Sequence, residues 1–184
     1  MSKAYVFLAD GFEEVEALAV VDLLRRGGVD TVMVSISDSL ELVGRSRISV
    51  KADAMYEDCH FSDASLYVLP GGLPGTTYLG RHEGLCRLLK TAAEEKKVYI
   101  GAICAAPTIL GKLGLLDGKK ATCYPGLENE LTGAKVSTDK KVVKDGKIIT
   151  SRGVGTVIPF ALRLIECLMG EECAKEVERS IVFN

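Results

Sequence analysis

Cys104 lies at a junction that suits a nucleophile. It follows the apolar run 99–103 and precedes two alanines and Pro107, where a helix can begin. Small residues on both sides allow a sharp backbone turn, which is the shape of a nucleophile elbow. A helix N-terminus at this point would stabilise a thiolate, so we expect a more acidic thiol than in an ordinary cysteine. Cys104 is also one of six cysteines, and a free cysteine can serve simply as a small buried hydrophobic residue.

The acidic stretch 10–16 offers a partner for this thiol. Glu13 and Glu14 fall in the first turn of a predicted helix, where acids complement the helix dipole, and we expect both to be solvated. Glu16 lies on the apolar side of the same helix and is predicted to point inward. Burial would raise its pKa and keep it protonated near neutral pH. A neutral carboxylic acid can donate a hydrogen bond to a thiolate, so Glu16 is the candidate partner of Cys104.

A glycine-rich loop at 69–75 is the third candidate element. Its glycines permit positive φ angles and let backbone N–H groups approach a ligand as an anion nest or oxyanion hole, although a lone glycine cluster is more often a tight turn without a ligand. The chain has only two histidines, His60 and His82, and both are predicted to be solvated surface residues. A cysteine hydrolase of the Cys-His type needs an imidazole base, so proteolysis is disfavoured.

Composition predicts one soluble domain over residues 1–184. The length allows a substantial core, and a formal net charge of -2 gives no basic excess for a standing nucleic-acid partner. The N-terminal apolar run is too short for a signal or a membrane span, so we expect a cytoplasmic protein without membrane contact. The cysteines form no C-x-x-C pair and have no clustered histidines, which predicts reduced thiols and no metal site.

Strand-like and helix-like segments alternate along the chain. This alternation predicts an α/β fold with a mostly parallel sheet covered on both faces, and ligands bind such sheets at the carboxyl ends of the strands. A hairpin is expected around residues 145–146, and the segment 47–52 suits a hairpin or flap. Strands are predicted at 4–9, 29–36, 66–69, 98–103 and 120–123 and one ending at 150, with helices at 14–26, around 85–92, at 156–169 and after 170.

Four segments together resemble the ThiJ/PfpI superfamily, most closely its DJ-one and YajL-like branch. They are 11–16, 68–72, 102–108 and 145–153. The resemblance implies a flavodoxin-like three-layer sandwich, a homodimer, and no metal or organic cofactor.

The resemblance also assigns residues to the site. It implies that Cys104 is the reactive cysteine, that Glu16 is a buried protonated acid beside the sulfur, and that Gly72 and Ala105 donate backbone N–H groups to a bound oxyanion. Tyr124 stands where many relatives carry a histidine, so it is a candidate substrate contact. Either Arg45 or Arg47 is a candidate for the pocket or the dimer contact.

Two functions follow from these residues. The first is an enzyme that acts on reactive dicarbonyls or glycated substrates, as a glutathione-independent glyoxalase (a lyase) or as a deglycase (a hydrolase). The alternative is an oxidative-stress sensor or chaperone whose cysteine is oxidised to sulfinate without physiological turnover.

Overall fold

A mostly parallel sheet of seven strands forms the centre of the protein. The computed structural model describes residues 2–183. The strands of the chain are β1 (Lys3–Leu8), β2 (Asp30–Ser35), β3 (Glu41–Val43), β4 (Ser49–Lys51), β5 (Ala54–Met55), β6 (Leu66–Leu69), β7 (Tyr99–Ile103), β8 (Lys120–Ala121), β9 (Lys135–Val136), β10 (Val142–Asp145) and β11 (Ile148–Ser151). The main sheet has the order β10-β11-β7-β6-β1-β2-β5, and only the pair β10 and β11 is antiparallel.

The centre of the sheet is buried on both faces because its middle strands, β1, β6 and β7, are apolar at nearly every position. In β1, Val6 and Leu8 belong to the core on one face, whereas Tyr5 and Phe7 belong to the core on the other. Continuous apolar strands of this kind are typical of parallel sheets that helices cover on both sides.

Helices form the two outer layers. They are α1 (Glu14–Arg26), α2 (Gly75–Arg81), α3 (Glu83–Glu95), α4 (Pro107–Lys112), α5 (Val157–Met169) and α6 (Glu171–Ser180). Residues of α1, α5 and α6 pack in one core, and residues of α2, α3 and α4 pack in the other. The predicted three-layer α/β sandwich is therefore confirmed. Within residues 2–183, no helix is long and apolar enough to cross a membrane.

Two predicted segments take a more specific form in the structure. The segment 47–52 contributes β4, which pairs with β3 as a hairpin outside the main sheet. The strand predicted at 120–123 shortens to β8, which pairs with β9 in a separate small sheet. Helix α2 was not predicted, because its seven residues include two glycines and show no helical apolar period.

Candidate functional site

Main-chain hydrogen bonds hold Cys104 at the carboxyl end of β7. Its φ angle is 64°, in the left-handed region that residues with a side chain rarely adopt. Its N–H donates to the carbonyl oxygen of Ser151 at 3.0 Å, and its carbonyl oxygen accepts from the N–H of Tyr124 at 2.8 Å. These two contacts come from separate segments, so the surrounding fold keeps the elbow in its strained conformation.

The Glu16 carboxyl group meets the Cys104 thiol against the backbone of Gly71. Glu16 is only 1% exposed, and the N–H of Gly71 donates to its Oε2 at 2.9 Å. A Cβ atom on Gly71 would lie 2.7 Å from that Oε2 and 3.0 Å from the Cys104 Sγ. The carboxyl and thiol groups thus border the same small space. The other carboxyl oxygen, Oε1, is buried and has no hydrogen-bond partner within residues 2–183.

Burial makes both groups of this pair poor acids. It raises the pKa of Glu16 to about 7, against the opposing effects of the Gly71 N–H and of Cys104. Burial also raises the pKa of the Cys104 thiol to about 12, and the neighbouring Glu16 charge and hydrogen bond act in the same direction. Near pH 7 the carboxyl group is therefore the first to lose its proton, and it can then accept the proton of the thiol.

The expectation of an unusually acidic Cys104 thiol was wrong. Helix α4 begins at Pro107 with Ala106 as its N-cap, and it has only six residues. Cys104 therefore lies outside the helix, and the dipole effect decays within one turn. The loss of water around the sulfur raises the pKa of the Cys104 thiol by more than the helix dipole lowers it.

Two backbone N–H groups lie against the sulfur. Hydrogen bonds from Ala105 and Gly72 lower the Cys104 pKa and partly offset the effect of burial. Gly72 has a φ angle of +90°, and a Cβ atom there would collide with the backbone of Glu13. Glycine is required at this position because both the φ angle and the close backbone approach exclude a side chain.

A cleft opens beside the Cys104 thiol. Its larger part has a volume of about 630 Å³ and reaches Arg152 and the turn at 153–156. A smaller part of about 360 Å³ runs along Gly72 and Ala105. Tyr124 lines both parts and is 52% exposed.

The structure brings together all five predicted site residues, namely Glu16, Gly72, Cys104, Ala105 and Tyr124. The described residues that line the cleft include no histidine. His82 instead caps α3, where its Nδ1 accepts from the N–H of Leu85 at 3.0 Å. His60 is exposed, as expected.

The expectation of solvated Glu13 and Glu14 was wrong. Glu13 is 9% exposed and Glu14 is 3% exposed. The turn between β3 and β4 folds over the first turn of α1, and the N–H of Ser46 donates to the Oε1 of Glu14 at 2.8 Å. The buried Glu14 carboxylate thereby ties the exposed turn to the first turn of α1.

The same turn places one of the two candidate arginines at the cleft. Arg45 lines the cleft, and its Nη1 lies 3.2 Å from the Oε2 of Glu13. Arg47 is not among the cleft residues. Sequence reasoning missed Lys141 and Arg152, which also line the cleft. Arg152 directly follows the end of β11, so the rule that ligands bind at the carboxyl ends of strands could have found it.

The fold and this site together define a class of protein: a flavodoxin-like α/β sandwich with a cysteine at a strand-to-helix elbow and a buried glutamate beside it. Residues 2–167 match the family model described as DJ-1/PfpI family. The chain belongs to the DJ-1/PfpI family.

Several curated relatives resemble most of the chain. Protein dj-1beta of Drosophila melanogaster is 39% identical over 185 residues, which cover 99% of this chain and 98% of that protein. A Caenorhabditis elegans protein named glutathione-independent glyoxalase DJR-1.2 is 33% identical over 163 residues, 87% of this chain and 84% of that protein. Protein DJ-1 homologs B and A of Arabidopsis thaliana are 38% and 40% identical over 94% and 96% of this chain, which spans only 39% and 45% of their length.

Solved structures agree with this assignment. The crystal structure of Drosophila melanogaster DJ-1beta superposes with a TM-score of 0.95 at 35% identity and covers 100% of both chains. Toxoplasma gondii DJ-1, described as oxidized, superposes with a TM-score of 0.94 at 33% identity and covers 100% of this chain and 99% of that one.

Proposed function

We propose that the protein is a cysteine-dependent enzyme that converts reactive dicarbonyls to hydroxy acids, as in the conversion of methylglyoxal to lactate. The observation that carries the proposal is the pairing of the Cys104 thiol with the buried Glu16 carboxyl group over Gly71. Similarity to a relative named as a glutathione-independent glyoxalase supports the same substrate class.

The first step is proton transfer from Cys104 to Glu16. The Glu16 carboxylate accepts the thiol proton, and the sulfur attacks the aldehyde carbon to form a C–S bond. The electron pair of the C=O bond moves to oxygen, and Glu16 returns its proton there to give a hemithioacetal. The N–H groups of Gly72 and Ala105, which contact the sulfur, are suited to stabilise the transient oxyanion.

The second step moves a proton between adjacent carbons. Glu16 removes the proton from the carbon that carries sulfur and delivers a proton to the neighbouring carbon, through an enediol. The aldehyde carbon is thereby oxidised to a thioester while the ketone carbon is reduced to an alcohol. Water then cleaves the thioester and releases the hydroxy acid and the free Cys104 thiol. The reaction uses one water molecule and needs no metal or organic cofactor.

The remaining predictions belong to the same proposal. Residues 1–184 act as one domain in the cytoplasm, Tyr124 contacts the substrate, and the protein is a homodimer. Val15, Val43 and Ile48 are each about half exposed on α1 and the β3–β4 hairpin, and a second copy of the chain could cover this apolar surface.

Lactate formation from methylglyoxal without glutathione tests the enzyme proposal. We expect turnover by the unmodified protein and loss of turnover in Cys104→Ser and in Glu16→Gln. Cys86→Ser is the matched control, because Cys86 lies on α3 outside the cleft lining. Unchanged lactate formation in either site variant would remove the mechanism.

A second function is favoured by the donors around the sulfur. The N–H groups of Gly72 and Ala105 and the Glu16 carboxyl group could together hold the oxygens of a Cys104 sulfinate, which supports an oxidative-stress sensor. Intact mass after graded peroxide treatment tests it. Selective addition of two oxygens at Cys104 supports the sensor, whereas oxidation of all thiols in parallel contradicts it.

A further inference from the structure

The two parts of the Cys104 cleft differ in chemistry. The larger part is lined by several charged side chains, among them Lys141 and Arg152. The smaller part is lined mainly by apolar side chains and by glycine backbone, and within residues 2–183 its one charged lining residue is Arg45. The Nη1 of Arg45 lies 3.2 Å from the Oε2 of Glu13, so this cation already has a partner. We therefore call the smaller part the apolar arm.

Apolar side chains stand in water along this arm. Leu73 is 62% exposed and Tyr124 is 52% exposed, and both line the arm together with the half-buried Leu127. A single exposed apolar side chain is ordinary, but here three of them share one cleft with a nucleophile. Transfer of such surface from water to an apolar ligand group is favourable. The arm is therefore suited to an apolar group.

Main-chain hydrogen bonds fix the walls of the arm relative to the sulfur. The N–H of Tyr124 donates to the carbonyl oxygen of Cys104 at 2.8 Å, and the N–H of Leu127 donates to the carbonyl oxygen of Tyr124 at 3.1 Å. On the opposite wall, Leu73 directly follows Gly72, whose N–H contacts the sulfur. A ligand joined to the sulfur thus meets a preformed apolar surface, which lowers the entropic cost of binding.

The apolar arm is larger than methylglyoxal requires. Its volume is about 360 Å³, within the range of roughly 300–1,000 Å³ that is common for small-molecule pockets. Methylglyoxal carries only one methyl group beside its ketone, and this group cannot cover both Leu73 and Leu127. A larger apolar substituent at the same carbon would displace water from both walls.

We propose that the apolar arm binds the substituent on the ketone carbon, and that the substrates are 2-oxoaldehydes whose substituent is apolar and larger than methyl, such as a branched alkyl group. Leu73 and Tyr124 are then the specificity-determining residues. This inference rests on the proposed function, because the aldehyde end of the same molecule reacts with Cys104. The reaction balances as before: R–CO–CHO and one water molecule give R–CH(OH)–COOH.

Kinetics with three 2-oxoaldehydes test this preference. Methylglyoxal, 4-methyl-2-oxopentanal and 4,5-dioxopentanoate carry a methyl, an isobutyl and a carboxyethyl group, and chromatography measures their hydroxy acid products. We expect kcat/KM for the isobutyl substrate to exceed that for methylglyoxal about tenfold, since one added methylene in an apolar pocket is worth at least that much. It should also exceed that for the carboxyethyl substrate, whose charge must lose water. Equal values for all three substrates, or a preference for the acid, would overturn the proposal.

Two variants of similar shape locate the effect. Leu73→Asn should lower the ratio of kcat/KM for the isobutyl substrate to that for methylglyoxal by about threefold, because part of the apolar wall is lost. The exposure of Leu73 makes unfolding an unlikely result of this change. Met169→Gln alters a 41% exposed side chain on α5, outside the lining of the cleft, and should keep the ratio. An unchanged ratio in Leu73→Asn would contradict the role of Leu73.

Binding of the reaction products separates this inference from the proposed function. The probes are 2-hydroxy-4-methylpentanoate and lactate, which differ only in the substituent, titrated into the unmodified protein by NMR. We expect the former to bind about tenfold more tightly and to shift the amide resonance of Leu127. This result without any turnover of 2-oxoaldehydes would refute the proposed reaction and retain the apolar arm. Turnover with equal affinities for the two products would refute the apolar arm alone.

Discussion

Replacing Gly71 by alanine should separate the two reacting groups. The new Cβ atom would lie 2.5 Å from the Cys104 Cβ and 2.7 Å from the Glu16 Oε2, whereas ordinary contacts begin at 3.4 Å. The φ angle of Gly71 is not in the left-handed region, so the penalty comes from crowding alone. Cys104 and Glu16 must each give way by roughly 0.7–0.9 Å if the backbone stays in place.

This displacement has a cost in both stability and activity. Overpacking of a buried site costs about 2 kcal/mol, which corresponds to a fall in Tm of roughly 4–8 °C for a chain of this size. A misplacement of about 1 Å between reacting groups lowers kcat/KM by roughly 100-fold. We therefore expect Gly71→Ala to be folded but less stable, and to form lactate at about one hundredth of the normal efficiency.

Calorimetry and the lactate assay check these two expectations on the same sample. Gly155→Ala is the matched control for stability alone, since a Cβ atom at Gly155 meets nothing within 4 Å and the residue has no positive φ angle, whereas its place in the cleft lining excludes it as a control for activity. Its Tm should stay within about 2 °C of the unmodified protein. If Gly71→Ala kept both its Tm and its activity, the close packing of thiol and carboxyl groups over Gly71 would be refuted.

Three further predictions concern the acids of the first turn of α1. Burial raises the folded-state pKa of Glu16 to about 7 from 4.5, so the contribution of Glu16 to stability is greatest below pH 4.5 and is lost as the pH rises through 7. Urea unfolding should show Glu16→Gln gaining about 3 kcal/mol relative to the unmodified protein between pH 4 and pH 8. For lactate formation, kcat/KM should rise through about pH 7 as Glu16 ionises, and a flat profile from pH 5 to pH 8 would contradict its role as the base. Glu14→Ala should lower the free energy of unfolding by about 1–3 kcal/mol and speed hydrogen exchange at the Ser46 amide, because that amide loses its acceptor. The control Glu83→Ala removes an exposed carboxylate and should change neither quantity. Unchanged exchange in Glu14→Ala would show that Glu14 does not fix the turn.

The sequence predicts those parts of the site at which the local residue pattern agrees with the environment in the folded protein. Helix α1 spans 14–26 as predicted, because its apolar face and the following glycine pair are both local signals. The inward position of Glu16 followed from the apolar residues that surround it on that helix. The backbone donors at Gly72 and Ala105 came instead from the family resemblance, which identified the two loops that the sheet brings together.

Sequence failed where a distant segment decides the environment. Glu13 and Glu14 are buried by the turn at 44–48, about thirty residues away, and no rule about helix ends contains that contact. The acidity of Cys104 was misjudged for the same reason, since desolvation by the whole fold exceeds the effect of one short helix.

The way Tyr124 holds the elbow has a consequence for how the protein can diverge. Its main-chain N–H, rather than its ring, supplies the hydrogen bond to the Cys104 carbonyl oxygen. Any amino acid except proline offers the same donor. The half-exposed side chain is therefore free to vary, and substitutions at position 124 can reshape the wall of the cleft while Cys104 keeps its position. Substrate choice and nucleophile placement are thus separable traits at this residue, which makes it a natural position for directed evolution.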